Sequence, residues 1–598
     1  MLNETTLNET APRATTDLSA RPNPDARQQE STARARVDEI ERGFGDPYDP
    51  DNPVGFERLL EADEAAELSA EGEAVLDAAG LNADFVPVEL GGRLDRLDTL
   101  VRVMRQVFRR DVALGIGYGA TSFMAAVNVW TAGDGRQRRE LADVLLAGGK
   151  AAVAYHELAH GNDFVRSEFS AEPTPEGFRL NGTKEVINNA DRAQVVTLFS
   201  RTSPAPGSRS HSVLMLNRDE FDPLRVRTLP RYTAVGVRGC HLAGLAFDDF
   251  PVPHSALVGE QGQGVELALR SFQVTRSAVP GMAIGAADSS LRTAVRFAVG
   301  RQLYRGSVLE IPQAKATLSA AFLDLLICDC LSLAGTRAVH LLPEETSVYA
   351  AGVKYLVPKI LGEAMYELSI ILGARFYVRE GEFGVFQKHI RDLPVLTLGH
   401  AGSAACQATI IPQLSRLAKR AWFADEPAPA ELFDPRGALG PVPFERLSLA
   451  SGRDRLSAAL VAAVDSLPGE TPVERALHGF ALRMMDELRR LQEEALDLSP
   501  QDRTVLASPA SFAMADRYTV LLAAASVLGV WQRAAADGGD PFLADPSWAA
   551  EALARLSRRL GHKAGDLPAG CAERVHEEVS RRFLEHRSYD LYDSPLAG

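Results

Sequence analysis

Cysteine is scarce in this sequence, with five in 598 residues. The five are an odd number, and the closest two are separated by one residue: Cys240, Cys328, Cys330, Cys406 and Cys571. This spacing fits neither a CxxC motif nor a disulfide framework, so we expect an intracellular, reducing compartment. Positive charge is also in deficit, because 64 Lys and Arg stand against 79 Asp and Glu, for a net charge of −15. Binding of nucleic acid requires a basic surface that neutralises phosphates, so no nucleic-acid partner is expected.

Long hydrophobic runs are missing as well. The apolar segment 322–333, for example, is interrupted by Asp324 and Asp329. A helix that crosses a bilayer needs about 20 predominantly apolar residues, so no membrane span is predicted. The polar N-terminus lacks the apolar core of a secretory signal peptide. We therefore expect a cytoplasmic protein.

The distribution of apolar residues divides the chain into regions. Residues 1–45 are rich in Ser, Thr, Pro, Arg and Glu without hydrophobic periodicity, which predicts a disordered tail. Residues 46–150 carry apolar side chains at three- and four-residue spacing, which is typical of helices. Residues 151–265 contain short β-branched runs bounded by turn signals such as Asn181-Gly182. That pattern predicts a small antiparallel β domain.

Helical patterns return in the second half of the chain. Residues 266–425 are long Ala- and Leu-rich stretches that predict a helical bundle. A proline-rich break follows, with Pro427, Pro429, Pro435, Pro441 and Pro443. Residues 440–598 then predict a helical extension. The fold class expected from the whole pattern is mainly α, with a small central β domain and extra C-terminal helices.

Several motifs follow one another in the order found in acyl-CoA dehydrogenases. Ala154-Tyr-His-Glu-Leu-Ala-His-Gly-Asn-Asp163 resembles the strand and loop that carry Thr-Glu-Pro-Gly-Ala-Gly-Ser-Asp in that family. The segment Leu180 to Asn189 resembles its Asn-Gly-x-Lys-x-Trp-Ile-Thr-Asn motif. Further matches are Gly236-Val-Arg-Gly239, the glycine-rich turn 259–264, and a turn opened by Arg301 with Tyr304, Gly306 and Gln313. The resemblance covers roughly residues 46–420 and leaves the tail and the extension outside it.

The resemblance implies a fold, a reaction and an assembly. The fold would be a helical N-terminal domain, a β domain and a helical bundle. The reaction would be FAD-dependent dehydrogenation of an acyl thioester, with a proton leaving Cα and a hydride leaving Cβ. The acyl group would be carried by CoA or an acyl carrier protein, while the electron acceptor stays open. A homodimer or homotetramer is implied, because the family's arginine reaches FAD across a subunit interface.

The same resemblance assigns cofactor contacts to seven positions: His156, Asp163, Val186, Asn188, Arg301, Gln313 and Gly373. The first four would lie on the flavin side. Arg301 would meet the FAD pyrophosphate, since a guanidinium matches phosphate oxygens bidentately. Gln313 would lie on the adenosine side. Gly373 begins a segment in which the later glycines of the family's phosphate-side turn are replaced, and Arg375 there is an alternative source of charge.

A carboxylate is missing from both positions where the family carries its catalytic glutamate. Thr275-Arg276 occupies one of them. The segment after Arg391-Asp392 places His400 at the other, or Ala401 if the register shifts by one residue. An imidazole can accept a proton near neutral pH, so His400 is the candidate catalytic base. The alternative is that His400 is a helix-end residue without a catalytic role.

Other interpretations stay open at this point. His156-Glu-Leu-Ala-His160 matches the His-Glu-x-x-His pattern of zinc proteases. Gly161-Asn162 would end such a helix at once, and no third ligand stands at the expected spacing, so no metal is predicted. The missing glutamate leaves two further alternatives, which are oxidase or monooxygenase chemistry on the same fold and a non-catalytic scaffold.

Overall fold

The computed structural model of the protein describes residues 25–598, apart from 162, 305, 400–401, 425, 505, 564 and 566. The first described element is helix α1 (Ala26–Phe44), which Asp25 caps by accepting a hydrogen bond from the Arg27 N–H. This helix corrects the prediction of a disordered tail for residues 26–44, whereas residues 1–24 of that predicted tail lie outside the described residues. Its composition is polar, but Val37, Ile40 and Phe44 form a narrow apolar stripe that is fully buried. Composition averaged over the region concealed that stripe.

The N-terminal region that follows is helical, as predicted. Its helices are α2 (Phe56–Glu64), α3 (Ala70–Ala78), α4 (Leu97–Arg110), α5 (Val112–Leu114), α6 (Thr121–Ala132) and α7 (Gly135–Leu146). A π-helical turn, Gly115–Ala120, joins α5 to α6. Such wide turns are rare and frequently occur at functional sites, and this one lies at the wall of the cavity described below.

The central sheet follows α7. Its strands are β1 (Ala151–Ala154), β2 (Ser170–Thr174), β3 (Gly177–Asn188), β4 (Val195–Arg201), β5 (His211–Asn217), β6 (Val226–Leu229), β7 (Leu242–Pro253) and β8 (Leu257–Val258). The strand order is β6-β7-β3-β2-β4-β5-β8, and β1 pairs with β4. The predicted antiparallel domain is corrected to a mixed sheet, because β1 runs parallel to β4 with Ala151 opposite Val195. No tight turn connects those two strands, so turn signals could not reveal their relative direction.

The helical bundle begins with the long helix α8 (Gly264–Gly300). A short hairpin of β9 (Gln302–Leu303) and β10 (Gly306–Ser307) comes next, so Arg301 ends α8 and leads into a hairpin rather than opening a helical turn. The remaining bundle helices are α9 (Pro312–Leu341), α10 (Thr346–Leu372), α11 (Gly384–Asp392), α12 (Val395–Leu398) and α13 (Ser403–Arg420). The predicted order of helical, β and helical regions is therefore confirmed.

The C-terminal extension packs back on the bundle. It consists of α14 (Arg455–Ser466), α15 (Pro472–Leu496), α16 (Pro509–Asp537), α17 (Pro541–Ala544), α18 (Pro546–Arg559) and α19 (Cys571–Leu584). Beyond α19 the chain returns to the N-terminal region, where Asp590 lies between Arg105 and Arg109, 3.5 and 3.7 Å from their guanidinium nitrogens. The Leu591 N–H donates to Asp329 of α9 at 2.8 Å. The extension and the core therefore share buried polar contacts.

Three helical stretches are long and apolar enough to cross a membrane by length and composition: Val112–Ala132, Pro312–Leu341 and Pro509–Asp537. All three are largely buried inside the protein. Helix α9 is also tied to other parts of the protein by ion pairs. Its Asp329 accepts a hydrogen bond from Arg105 at 2.9 Å, and its Asp324 accepts one from Arg555 at 2.9 Å. These stretches supply buried core to the N-terminal region, the bundle and the C-terminal extension, respectively.

Candidate active site

A cavity of about 750 Å³ lies where the sheet meets the helical regions. Its walls come from the π-helical turn and α6, from β1 and the loop after it, and from the end of β3. Helices α8 and α10 and the segment 391–399 close the other side. Val235 and Leu398 stand at its rim with 85% and 73% of their surface exposed. A largely apolar cleft with few polar groups is the usual form of a small-molecule site.

The β3 wall contains a bulge that aims Val186 at the cavity. The pairing of β3 with β7 shifts register between Lys184 and Ile187, and Val186 adopts φ 55°. A β-branched residue in the left-handed region is strained, and such strain concentrates at functional sites. Bulges commonly re-aim side chains in this way. The predicted site residue Val186 is thus placed at the cavity wall.

The segment Gly236–Val237 forms a second strained stretch of the lining. Val237 adopts φ 47°, and its N–H donates to Asp392 Oδ1 at 2.6 Å. Asp392 also accepts from Lys388 Nζ at 2.8 Å. A Cβ at Gly236 would collide with the carbonyl oxygen of Arg391, so only glycine fits there. Asp392 therefore fixes this part of the wall, a role that the sequence analysis did not foresee.

Asn188 presents an unsatisfied acceptor at the same cavity. Its Nδ2 donates to Thr121 Oγ1 at 2.7 Å and to the Ile116 carbonyl at 3.3 Å. Its Oδ1 is buried and has no hydrogen-bond partner among the described residues. Because an unpaired buried acceptor is costly, a ligand that donates a hydrogen bond there would be favoured.

His156 lines the cavity, whereas Asp163 does not. The His156 Nδ1 lies 3.0 Å from the Glu185 carbonyl oxygen. That contact requires Nδ1 to carry the proton, which leaves Nε2 as an acceptor in the neutral ring. Asp163 lies on the loop after β1, with its carboxylate largely exposed and 3.3 Å from Arg166. The loop thus brings one of its two predicted residues to the cavity.

The neighbouring Glu157 is engaged elsewhere. Its carboxylate lies 2.7 Å from the fully buried Lys184 Nζ and accepts from the Glu168 N–H at 2.9 Å. Burial opposes ionisation, but the Lys184 charge prevails and lowers the pKa of Glu157 to about 2. His156 and His160 lie in a turn after β1 rather than on one helix. Within the described ranges, no three potential ligands are grouped to hold a metal ion.

One buried cation on the helical side was not predicted as a site residue. Lys354 of α10 lines the cavity and is 4% exposed. The Lys354 ammonium donates to the carbonyls of Leu396 at 2.5 Å and Gly399 at 3.0 Å. The signal in the sequence was a lysine within the apolar segment 348–358 of α10, because lysine is almost never fully buried unless it is paired.

The other predicted residues are not brought to this cavity. Arg301, Gln313 and Gly373 are exposed on the outer surface of the bundle. His400 and Ala401 lie outside the described residues, although Gly399, which precedes them, lines the cavity. The catalytic assignment of His400 therefore stays a prediction.

The helical bundle matches a family model. The model is described as acyl-CoA dehydrogenase, C-terminal domain, and it covers residues 262–414. A probable acyl-CoA dehydrogenase of Mycobacterium tuberculosis is 26% identical over 250 residues, which is 42% of this chain and 63% of that protein. The chain thus spans less than two thirds of the length of this curated relative. The human short-chain specific acyl-CoA dehydrogenase, a mitochondrial protein, is 25% identical over 56% of this chain and 79% of its own.

A solved structure matches nearly the whole chain. It is an acyl-CoA dehydrogenase from Bacillus anthracis complexed with FAD, with a TM-score of 0.66 and 16% sequence identity. The match covers 94% of this chain and 96% of that one. The likeness therefore extends to the fold of the C-terminal extension, which the motifs in the sequence did not reach.

Proposed function

Because this chain is an acyl-CoA dehydrogenase family protein, we propose that it is a FAD-dependent oxidoreductase acting on an acyl thioester. The reaction is removal of a proton from Cα and a hydride from Cβ, which leaves a double bond between the two carbons. The observation that carries the proposal is the cavity bounded by two strained valines, Val186 and Val237, with the unsatisfied Asn188 oxygen in its wall. The acyl group is carried by CoA or by an acyl carrier protein.

The residues of the β3 wall fit a flavin. A flavin ring system is flat and largely apolar on its faces and carries an N–H donor at its edge, which suits the free Oδ1 of Asn188. His156, Val186, Asn188 and Thr121 would hold it. Bound there, FAD supplies the hydride acceptor. The chain's own residues hold and orient it and keep water away from the reacting carbons, and the buried apolar lining suits that task.

His400 is proposed as the group that takes the Cα proton. An imidazole replaces the carboxylate of the family, so the base is neutral before the reaction and positive after it. Lys354 acts as a positioning residue for it, because its ammonium ties down the carbonyls of Leu396 and Gly399 immediately before position 400. A base must be held within hydrogen-bond reach of its proton, and this anchoring supports that requirement.

The exposed positions of Arg301, Gln313 and Gly373 support a role across a subunit interface. We propose that they contact the pyrophosphate and adenosine portions of FAD bound by a second copy, in a homodimer or homotetramer. A guanidinium suits a pyrophosphate through paired charge-assisted hydrogen bonds. A cytoplasmic location is proposed on the ground that all five cysteines are free and buried.

The visible spectrum of the purified protein tests the proposal. We expect flavin absorption bands that bleach under anaerobic conditions when the matching acyl thioester is added. Oxygen consumption coupled to substrate would move the assignment to an oxidase or monooxygenase. A colourless protein that ignores added FAD would overturn the proposal in favour of a scaffold.

A further inference from the structure

The π-helical turn Gly115–Ala120 offers the carbonyl of Ile116 to the start of helix α6. The Thr121 N–H donates to that carbonyl, five residues back in the chain rather than four. The Thr121 hydroxyl donates its proton to the same oxygen at 2.9 Å. A hydroxyl has one proton, so Thr121 Oγ1 can only accept a hydrogen bond from any further neighbour.

The side-chain amide of Asn188 meets these two oxygens. Thr121 Oγ1 lies 2.7 Å and the Ile116 carbonyl oxygen 3.3 Å from its Nδ2. The shape of an amide is nearly the same when its nitrogen and oxygen are exchanged, so hydrogen-bond partners decide which way it points. Turned round, Oδ1 would lie against two oxygens, neither of which has a proton free for it. The nitrogen is therefore held at this end, and Oδ1 is left at the cavity wall without a partner among the described residues.

Contacts beside this pair hold the π-helical turn and the end of β3 together. The Asn189 Nδ2 donates to the Gly117 carbonyl at 2.9 Å, and Arg192 donates to the same oxygen at 3.1 Å. Asn188 and Asn189 thus bind the successive carbonyls of residues 116 and 117. Loss of the Thr121 hydroxyl alone would leave these neighbouring contacts in place.

His156 presents the same polarity on this wall. Its Nδ1 donates to the Glu185 carbonyl at 3.0 Å, so Nε2 of the neutral ring is an acceptor. His156 and Asn188 therefore both offer acceptors to the cavity that they line. An oxidised flavin ring carries one N–H, at N3, and it gains another at N5 when it takes up a hydride. This wall suits an N–H edge of the ring better than its carbonyl oxygens.

We propose that Thr121 is a positioning residue, which fixes the Asn188 amide so that its oxygen accepts an N–H of the flavin ring. The inference rests on the proposed function and specifies which edge of FAD meets the β3 wall. The N–H is either the one at N3, present in both redox forms, or the one at N5, formed when the hydride leaves Cβ of the substrate. The competing explanation is that Thr121 only stabilises the π-helical turn.

Substitutions of Thr121 separate these explanations. T121V nearly keeps the shape of the side chain and removes the hydroxyl that orients Asn188, whereas T121S keeps the hydroxyl. Equilibrium dialysis of the full-length, FAD-loaded protein, with and without dithionite in the absence of oxygen, measures retention of reduced and oxidised FAD. We expect T121V to hold reduced FAD about 10-fold more weakly and T121S to stay within about 2-fold of wild type. T121A also lacks the hydroxyl and decides the question if T121V fails to fold.

Two further variants exclude a merely structural effect. Thr131 lies on the same helix, is 5% exposed, donates to the Val127 carbonyl at 2.7 Å and does not line the cavity. T131V therefore loses a similar hydrogen bond and should hold FAD as wild type does. The double variant T121V/N188L should bind FAD as N188L does, because no amide is left to orient.

The oxidised form and the reduction potential identify the N–H. If the N–H at N3 is bound, T121V weakens both redox forms equally and leaves the potential unchanged. If the N–H at N5 is bound, only the reduced form is weakened, and the potential of the bound flavin falls by about 30 mV for a 10-fold loss in a two-electron couple. Equilibration with a redox dye measures the potential, and either result supports the inference.

The remaining outcomes distinguish the inference from the function on which it rests. T121V that holds reduced FAD as tightly as wild type, T121S that loses as much as T121V, or an equal loss in the N188L background would each overturn the role of Thr121. The proposed function is tested separately, by bleaching of wild-type flavin with an acyl thioester. A wild-type protein that bleaches, with T121V unchanged, would keep the function and lose this inference, and one that binds no FAD would overturn both.

Discussion

At the scale of single residues, the side-chain amide of Asn188 forms hydrogen bonds through its nitrogen but, among the described residues, none through its oxygen. Its Nδ2 is fixed by Thr121 and Ile116, which holds Oδ1 in the wall without a partner among the described residues. The side chain therefore cannot rotate to satisfy Oδ1 without breaking two hydrogen bonds. A fixed acceptor of this kind binds a ligand donor without a large entropy cost.

We expect N188L to weaken FAD retention by about 10-fold, since one hydrogen bond to a buried acceptor is lost. Flavin content after dialysis measures this. The matched control is N82L, because Asn82 is also buried, donates through Nδ2 to the Gly149 carbonyl at 2.7 Å and has an unpaired Oδ1. Asn82 does not line the cavity. Equal flavin loss in both variants would show that Asn188 acts only through stability.

A second prediction at this scale concerns His400. H400A should lower turnover by about 100-fold or more, because a positioned general base contributes at least that much. Flavin content and binding of a product-like thioester should be unchanged. Since an imidazole must be neutral to accept a proton, wild-type turnover should fall as the pH is lowered through the titration of the base. Near-normal turnover in H400A would eliminate His400 as the base.

At the scale of elements, the central sheet encloses titratable groups that burial keeps from protonating. His211 of β5 is fully buried, stacks on Phe199 at 4.7 Å and lies 2.8 Å from Ser210 Oγ. Burial lowers its pKa to about 4. In the unfolded chain a histidine has a pKa of about 6.5. Between pH 6.5 and 4 the unfolded chain therefore binds a proton at His211 that the folded protein does not, and the free energy of unfolding falls.

The unfolding free energy of the protein should therefore fall by about 3 kcal/mol from this group between pH 6.5 and 4. H211F should start less stable at neutral pH, since it removes the contacts of His211 with Ser210 and with the Ser167 carbonyl, but its stability should fall less steeply in acid. Denaturant titrations at several pH values measure the slope. H254F is the control, because His254 is exposed, and it should keep the wild-type slope. Identical slopes in H211F and wild type would refute the assignment.

At the scale of the whole molecule, the chain beyond α19 completes a buried charge network. Arg105 and Arg109 of α4 face Asp329 of α9, Asp288 of α8 and Asp590. Three regions that are far apart in sequence therefore meet in one cluster. Asp590 lies close to both guanidiniums, so neutralising its carboxylate removes its attraction to two buried positive charges.

We expect D590N to lower the free energy of unfolding by about 3 kcal/mol. E585Q is the matched control, because the exposed Glu585 has Arg581, at 2.6 Å, as its one ionic partner among the described residues, and such a surface pair contributes about 1 kcal/mol or less. Chemical denaturation measures both. Equal effects of the two substitutions would mean that Asp590 does not stabilise the network.

The sequence predicted the helical regions and the fold class because periodicity and ordered motifs are local or near-local signals. It missed α1, whose apolar stripe is narrow, and the parallel pairing of β1 with β4, which no short turn specifies. Val186 and Asn188 were found through a motif, whereas Lys354 was not, because its importance depends on which helices pack around it. Burial without a counter-charge is a property of tertiary structure, and no spacing rule encodes it.

The two aspartates within the apolar helix α9 also matter while the protein is being made. Its carboxylates, Asp324 and Asp329, pair in the folded protein with Arg555 and Arg105, which lie more than 200 residues away in sequence. When α9 has just been synthesised, Arg555 does not yet exist, and Arg105 can pair with Asp329 only after α4 has packed against α9. An unpaired carboxylate near the middle of an apolar helix costs about 3 kcal/mol on insertion by a translocon. The two aspartates that join α9 to the C-terminal extension and to the N-terminal region therefore also oppose its diversion into a lipid bilayer before folding is complete.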